Sequence, residues 1–147
     1  MGLDDLYTQI VLEHSQSKKN HREVEDADII RKGHNPSCGD EISLEIKLTG
    51  NKIEDISYTG IGCAISKAST SIMCDLIRGK TIEEALALED TFRQMVLGEI
   101  TDRKELKALK DARAFSNMKN MPARIKCATL PWYTLEKIFT EEIQYGE

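Results

Sequence analysis

The sequence predicts an α+β fold, a small antiparallel sheet of about three strands covered by helices. Two observations carry that expectation. Apolar residues recur with a period of two between Glu41 and Tyr58, then with a period near 3.6 from Ala64 onward. The strands also come as a run before most of the helices, instead of alternating with them as in a parallel α/β chain.

The first element is an amphipathic helix, with Leu3, Leu6, Tyr7, Ile10, Val11 and His14 on one stripe, ending in the polar run from Ser15 to Arg22. Residues 20–39 mix charge with His34-Asn35-Pro36-Ser37 and read as a long loop, within which residues 23–33 are the region for a third strand. Ile42, Leu44, Ile46 and Leu48 then alternate with Ser43, Glu45 and Lys47, the pattern of a half-buried strand. Gly50-Asn51 is a hairpin turn signal, and Ile53, Ile56 and Tyr58 mark a returning strand that ends near Gly60.

A long helix follows Gly60-Ile61-Gly62-Cys63, with Ala64, Ile65, Ala68, Ile72, Met73, Leu76 and Ile77 on its apolar face and Gly79 as its C-terminal stop. Thr81 and Glu84 form a capping-box pair opening the next helix. Residues 99–115 read as a charged helical hairpin arm with Leu106 and Leu109 inward, and the acids of 83–105 as a solvated face. The last helix is expected from Pro122, where a missing N–H is harmless, to about Glu142, with a kink at Pro131.

Composition narrows the function classes. Of 147 residues, 40% are hydrophobic and 31% charged, as in a globular chain rather than a disordered one. The net charge of −5 argues against nucleic acid, whose phosphates call for a surplus of Lys and Arg. No run approaches the ~20 apolar residues of a membrane span. The acidic N-terminus, Met1-Gly2-Leu3-Asp4-Asp5, lacks the apolar stretch of a signal peptide, so a cytoplasmic location is expected. In that reducing setting the four cysteines read as buried thiols, metal ligands or reactive groups rather than disulfides.

Their settings differ. Cys38 lies in the turn Pro36-Ser37-Cys38-Gly39-Asp40. Cys63 lies between a strand end and a helix start, where the helix N-terminus favours a thiolate. Cys127 stands beside Arg124 and Lys126, which do the same. Cys74 is flanked by Met73, Leu76 and Ile77 and reads as a small core residue. Three thiolates can hold zinc if one more ligand closes the tetrahedron. Asp40 and His34 are both candidates for it; a turn role for Asp40 and solvated surface roles for His14 and His21 are the plainer alternatives. Gly79-Lys80-Thr81 fails as a phosphate loop because Cys74 stands where its first glycine belongs. Gly60-Ile61-Gly62 fails as a dinucleotide fingerprint because Ile65 occupies the third glycine position.

Three separated motifs, Asn35-Pro36-Ser37-Cys38-Gly39-Asp40, Gly60-Ile61-Gly62-Cys63-Ala64-Ile65-Ser66-Lys67-Ala68-Ser69 and Arg124-Ile125-Lys126-Cys127-Ala128, resemble in order those of the IscU/NifU-like superfamily, and most nearly its SufU branch. The likeness covers nearly all of residues 1–147, read as a single domain with a helical insertion near residues 90–118. IscU-type scaffolds carry a histidine before the third cysteine, where this chain has Lys126. They also carry a Leu-Pro-Pro-Val-Lys motif where it has Met121-Pro122-Ala123-Arg124.

The resemblance implies zinc held by Cys38, Asp40, Cys63 and Cys127. It also implies that Cys38 accepts sulfur from a PLP-dependent, SufS-like cysteine desulfurase and delivers it to a downstream SufB-like scaffold. In such a family the desulfurase supplies a histidine that takes over the metal position and frees Cys38. Arg124, three residues before Cys127, is a candidate for stabilising the anionic sulfur, with a plain surface cation as its alternative. Two rival functions remain beside sulfur transfer: a scaffold carrying an iron–sulfur cluster on the three cysteines, and a zinc-stabilised interaction module.

Overall fold

The computed structural model describes residues 3–36, 39–100 and 102–145. In chain order these form α1 (Leu3–Gln16), β1 (Ile29–Asn35), β2 (Asp40–Thr49), β3 (Lys52–Ile61), α2 (Ala64–Ile77), α3 (Ile82–Val96), α4 (Arg103–Leu106), a 3₁₀ stretch (Lys107–Phe115), a shorter one (Met118–Asn120) and α5 (Pro122–Tyr145). The strands make one antiparallel sheet in the order β1-β2-β3, so the expected architecture is the one observed.

The β2–β3 hairpin turns at Gly50-Asn51, with Thr49 opposite Lys52 and Gly50 at φ +61, a left-handed conformation that glycine adopts without a Cβ clash. The register then decides which side chains share a face. Ile42, Leu44 and Ile46 lie opposite Gly60, Tyr58 and Ile56 on one side, and opposite Gly33, Arg31 and Ile29 on the other. Cross-strand partners project to the same face of a pleated sheet. That face is the buried one, with Ile42, Leu44, Ile46, Ile56 and Tyr58 all inside the core. Helices α2 and α5 pack onto the sheet, α5 over β1 and β2 and α2 over β3.

The third strand lies at Ile29–Asn35, later than the region expected for it, and it absorbs His34 and Asn35 from the presumed loop. Apolar alternation could not reveal it, because its two fully buried positions are Gly33 and Asn35. Gly33 is required there: a Cβ would collide with the Thr134 hydroxyl and touch Leu130 of α5. The segment before it lies along β3. Tyr58 N donates to the Asn20 carbonyl (2.8 Å) and Arg22 N to the Tyr58 carbonyl (2.9 Å). Asp55 binds both Arg22 and Arg78, pinning this strap to the end of α2.

The expected capping box is present, with Thr81 Oγ1 accepting from Glu84 N and Glu84 accepting from Thr81 N. Residues 99–115 keep Leu106 and Leu109 inward as expected, but form a short α-helix followed by a 3₁₀ stretch in place of a helical hairpin. Leu106, Leu109, Ala112, Phe115 and Met118 are all buried, a spacing of three that suits the 3.0 residues per turn of a 3₁₀ helix. Lys110 interrupts the stretch at φ 50 and ψ −124.

Nor do the acids of 83–105 form a uniformly solvated face. Glu89 is 2% exposed, one of its oxygens lacks a hydrogen-bond partner, and burial pushes its carboxyl up to about 7 against the pull of Arg93. Helix α5 begins at Pro122 as expected and is continuous across Pro131, running past Glu142 to Tyr145. The histidines thought to be solvated are engaged: His14 Nδ1 lies 2.8 Å from Ser71 Oγ, and the His21 ring stacks on Tyr58.

Candidate metal centre

One end of the sheet gathers the chemistry. Asn35 and Asp40 pair across β1 and β2, so both project from the buried face toward the helices. At the same end β3 finishes with Gly60 and Ile61 paired to Ile42 and Glu41, and Gly62 then delivers Cys63 to the start of α2. Cys63 is the N-cap of that helix, its Sγ accepting from Ser66 N at 3.5 Å. Its own N–H donates to Asp40 Oδ1 at 2.8 Å. Gly62 allows this approach, because a Cβ there would strike Ser66 Oγ and stand 3.1 Å from Asp40 Oδ1.

Cys127 arrives from α5, and the docking of that helix is specific. Ser69 Oγ on α2 accepts from Trp132 Nε1 (2.9 Å) and donates to the Ala128 carbonyl. The Trp132 ring stacks on Phe92 of α3 with centroids 4.0 Å apart. Cys127 is thereby held fully buried, and Asn35 Nδ2 points at its sulfur from 4.0 Å.

The ligand atoms of Asp40, Cys63 and Cys127 all lie within 4.8 Å of one another, and among the described residues no other trio of metal-binding side chains does so. Asp40 is completely buried, yet its Oδ2 has no hydrogen-bond partner. An unpaired carboxylate oxygen in the interior is expensive, and a cation between it and the two sulfurs would remove the penalty. Two thiols and one carboxylate are a donor set suited to zinc.

Of the residues singled out from the sequence, three of the four expected ligands therefore meet. Cys38 lies outside the described residues. His34 is exposed on β1, opposite Glu41, and is not part of the group. Asp40 is no turn residue, since it opens β2. Arg124 is exposed in the first turn of α5, and Lys126 is exposed beside Cys127. Cys74 lies in the core, where burial pushes its thiol up to about 12.

The sequence reading missed Asn35 and Ser66, which supply polar hydrogens to the two sulfurs. Ser66 carried a signal, three residues after an N-cap, but Asn35 sat in what looked like a loop.

The chain is similar to several known proteins. The family described as the NifU-like N terminal domain matches residues 6–128. The zinc-dependent sulfurtransferase SufU of Bacillus subtilis (strain 168) is 41% identical over 141 residues, covering 96% of this chain and 94% of that protein. The iron–sulfur cluster assembly scaffold protein IscU of Streptococcus pyogenes serotype M1 is 42% identical over 135 residues, covering 92% and 83%. A crystal structure from Fervidobacterium islandicum AW-1, described as an iron–sulfur cluster assembly scaffold for the SUF system, superposes with a TM-score of 0.83. It is 41% identical, covering 92% of this chain and 97% of that one.

Proposed function

The chain belongs to the NifU-like N-terminal domain family, and from that premise we propose that it is a zinc-binding sulfurtransferase of iron–sulfur cluster assembly. It takes persulfide sulfur from a PLP-dependent, SufS-like cysteine desulfurase on Cys38 and passes it to a SufB-like scaffold. The observation that carries the reading is the Asp40–Cys63–Cys127 group, in which the buried Asp40 keeps an unpartnered carboxylate oxygen. Asp40, Cys63 and Cys127 would hold zinc together with Cys38. Bound there, zinc would keep its cysteine ligands deprotonated at neutral pH.

The protein's own residues account for the rest. Asp40 fixes the Cys63 backbone through the 2.8 Å bond to its N–H, so the carboxylate and the thiol reach the centre in one geometry. Ser66 and Asn35 direct hydrogens at the two sulfurs, moderating their charge. In the transfer, the Cys38 thiolate attacks the outer sulfur of the desulfurase persulfide. A new S–S bond forms on Cys38, the donor's S–S bond breaks, and the donor cysteine leaves as a thiolate, with no net oxidation. The Arg124 side chain, exposed at the start of α5, is available to offset the charge that develops on sulfur.

The name of the streptococcal relative favours a scaffold role instead. Lys126 counts against it, since an ammonium beside Cys127 offers no lone pair to a cluster. The test combines metal analysis with a desulfurase assay. About one zinc per chain, no visible chromophore, and stimulation of the desulfurase that disappears in Cys38→Ala are expected. Bound iron with a brown chromophore, or full stimulation by Cys38→Ala, would overturn the proposal.

A further inference from the structure

The turn that carries Cys63 to Asp40 is short, with only Gly62 between the end of β3 and the N-cap. The last two residues of β3 pair with β2, Gly60 at φ +108 opposite Ile42 and Ile61, 70% exposed, opposite Glu41. Gly60 must lack a side chain because a Cβ would collide with the Glu41 carbonyl, so the backbones of β2 and β3 cross closely there. Strand β2 holds one edge of β3 at this point, so a contact on its other edge would fix the direction in which Gly62 leaves the strand and Cys63 approaches Asp40.

His21 is placed to supply it. Its Nε2 lies 3.0 Å from the Gly60 carbonyl, and a carbonyl only accepts, so Nε2 carries the hydrogen. The ring stacks on Tyr58 with centroids 4.5 Å apart and planes 4° from parallel. The strap bonds of Asn20 and Arg22 to Tyr58 hold the His21 backbone against β3. The imidazole thus spans Tyr58 and Gly60, fixing the last residues of β3 before the bend.

We propose that His21 is a positioning residue for the Asp40–Cys63–Cys127 group, clamping the Gly60 carbonyl so that the Gly60–Gly62 bend keeps Cys63 in register with Asp40. The proposal rests on the reading of that group as a zinc centre, and the experiment separates the two.

Two variants divide the contacts of the ring. His21→Phe keeps the stack and loses the donor, whereas His21→Gln loses the stack and keeps a donor. Two readouts are taken on protein as purified: the rate of zinc transfer to a chromogenic chelator, and hydrogen exchange of the Cys63 amide by NMR. His21→Phe should release zinc roughly fivefold faster, about what one neutral hydrogen bond is worth. Its Cys63 amide should exchange faster by a similar factor, and His21→Gln should stay within about twofold of the wild type on both.

Wild-type values for His21→Phe on both readouts would overturn the clamp. Equal losses in both variants, with matching drops in Tm, would also overturn it, leaving His21 a general packing residue. If the wild-type protein carries no zinc, the metal reading fails, and amide exchange alone then decides whether His21 positions the bend.

Discussion

Helix α2 carries a cysteine at each end, and the two ends treat the same side chain in opposite ways. Cys63 caps the N-terminus, where free N–H groups and the helix dipole favour negative charge, and it faces the Asp40 carboxylate and the Cys127 thiol. Cys74 sits one turn from the C-terminus among core residues, with its thiol pushed up to about 12 by burial despite the nearby Arg78. Residue type therefore says little about thiol chemistry here. Position along one helix decides whether the sulfur faces a carboxylate and a second thiol or is kept as a small hydrophobe.

The largest effect that could break this contrast comes from replacing each cysteine in turn. Cys63→Ser should remove most bound zinc, while Cys74→Ala should keep it at the wild-type level and lose about 1 kcal/mol of stability. Metal analysis beside a urea melt reads both, and zinc loss from Cys74→Ala would dissolve the distinction. Asp40→Asn comes next. It keeps an oxygen to accept from Cys63 N–H but drops the charge, so zinc affinity should fall by at least about tenfold with little change in fold. Unchanged affinity in a chelator competition would demote Asp40 to a structural acceptor.

A further test concerns Glu89, a second ionisable group placed where its charged form is unwelcome. Its folded pKa of about 7 stands above the ordinary 4.5 because burial outweighs Arg93, while Glu136 and Asp90 add repulsion. A carboxyl raised on folding binds its proton more tightly in the native state. Its contribution is therefore complete below pH 4.5 and is lost as pH rises to about 7. Glu89→Gln should flatten that slope and stabilise the protein at pH 8 by on the order of 1–3 kcal/mol relative to wild type. Parallel pH–stability curves for the two proteins would contradict the assignment.

How much of this was readable from the sequence depended on whether a residue's role left a periodic trace. The β2–β3 hairpin and the Thr81–Glu84 capping box were legible because alternation and capping chemistry act over a few neighbouring residues. Strand β1 was not, since its inner positions are Gly33 and Asn35, chosen by the approach of α5 and not by hydrophobicity. Residues 106–118 had a visible spacing of three, obscured by the charges between. Within the site, Asp40, Cys63 and Cys127 were found by residue type and family motif. Ser66 lay within capping distance of Cys63, whereas the hydrogen-bond partners Asn35 and His21 depended on contacts between distant segments, which no local pattern records.

The route by which Cys127 reaches the site bears on how the chain must mature. Cys63 and Cys127 are separated by 127 − 63 = 64 positions. In the fold they meet through the seating of α5, whose Trp132 stacks on Phe92 and donates to Ser69. A chain in which α5 is not seated would therefore hold these side chains apart. An ion held there, as proposed, would tie the last helix back to the middle of the chain and shrink the conformations open to an unfolding molecule, as any cross-link over a long loop would. Metal loading would then certify a finished fold.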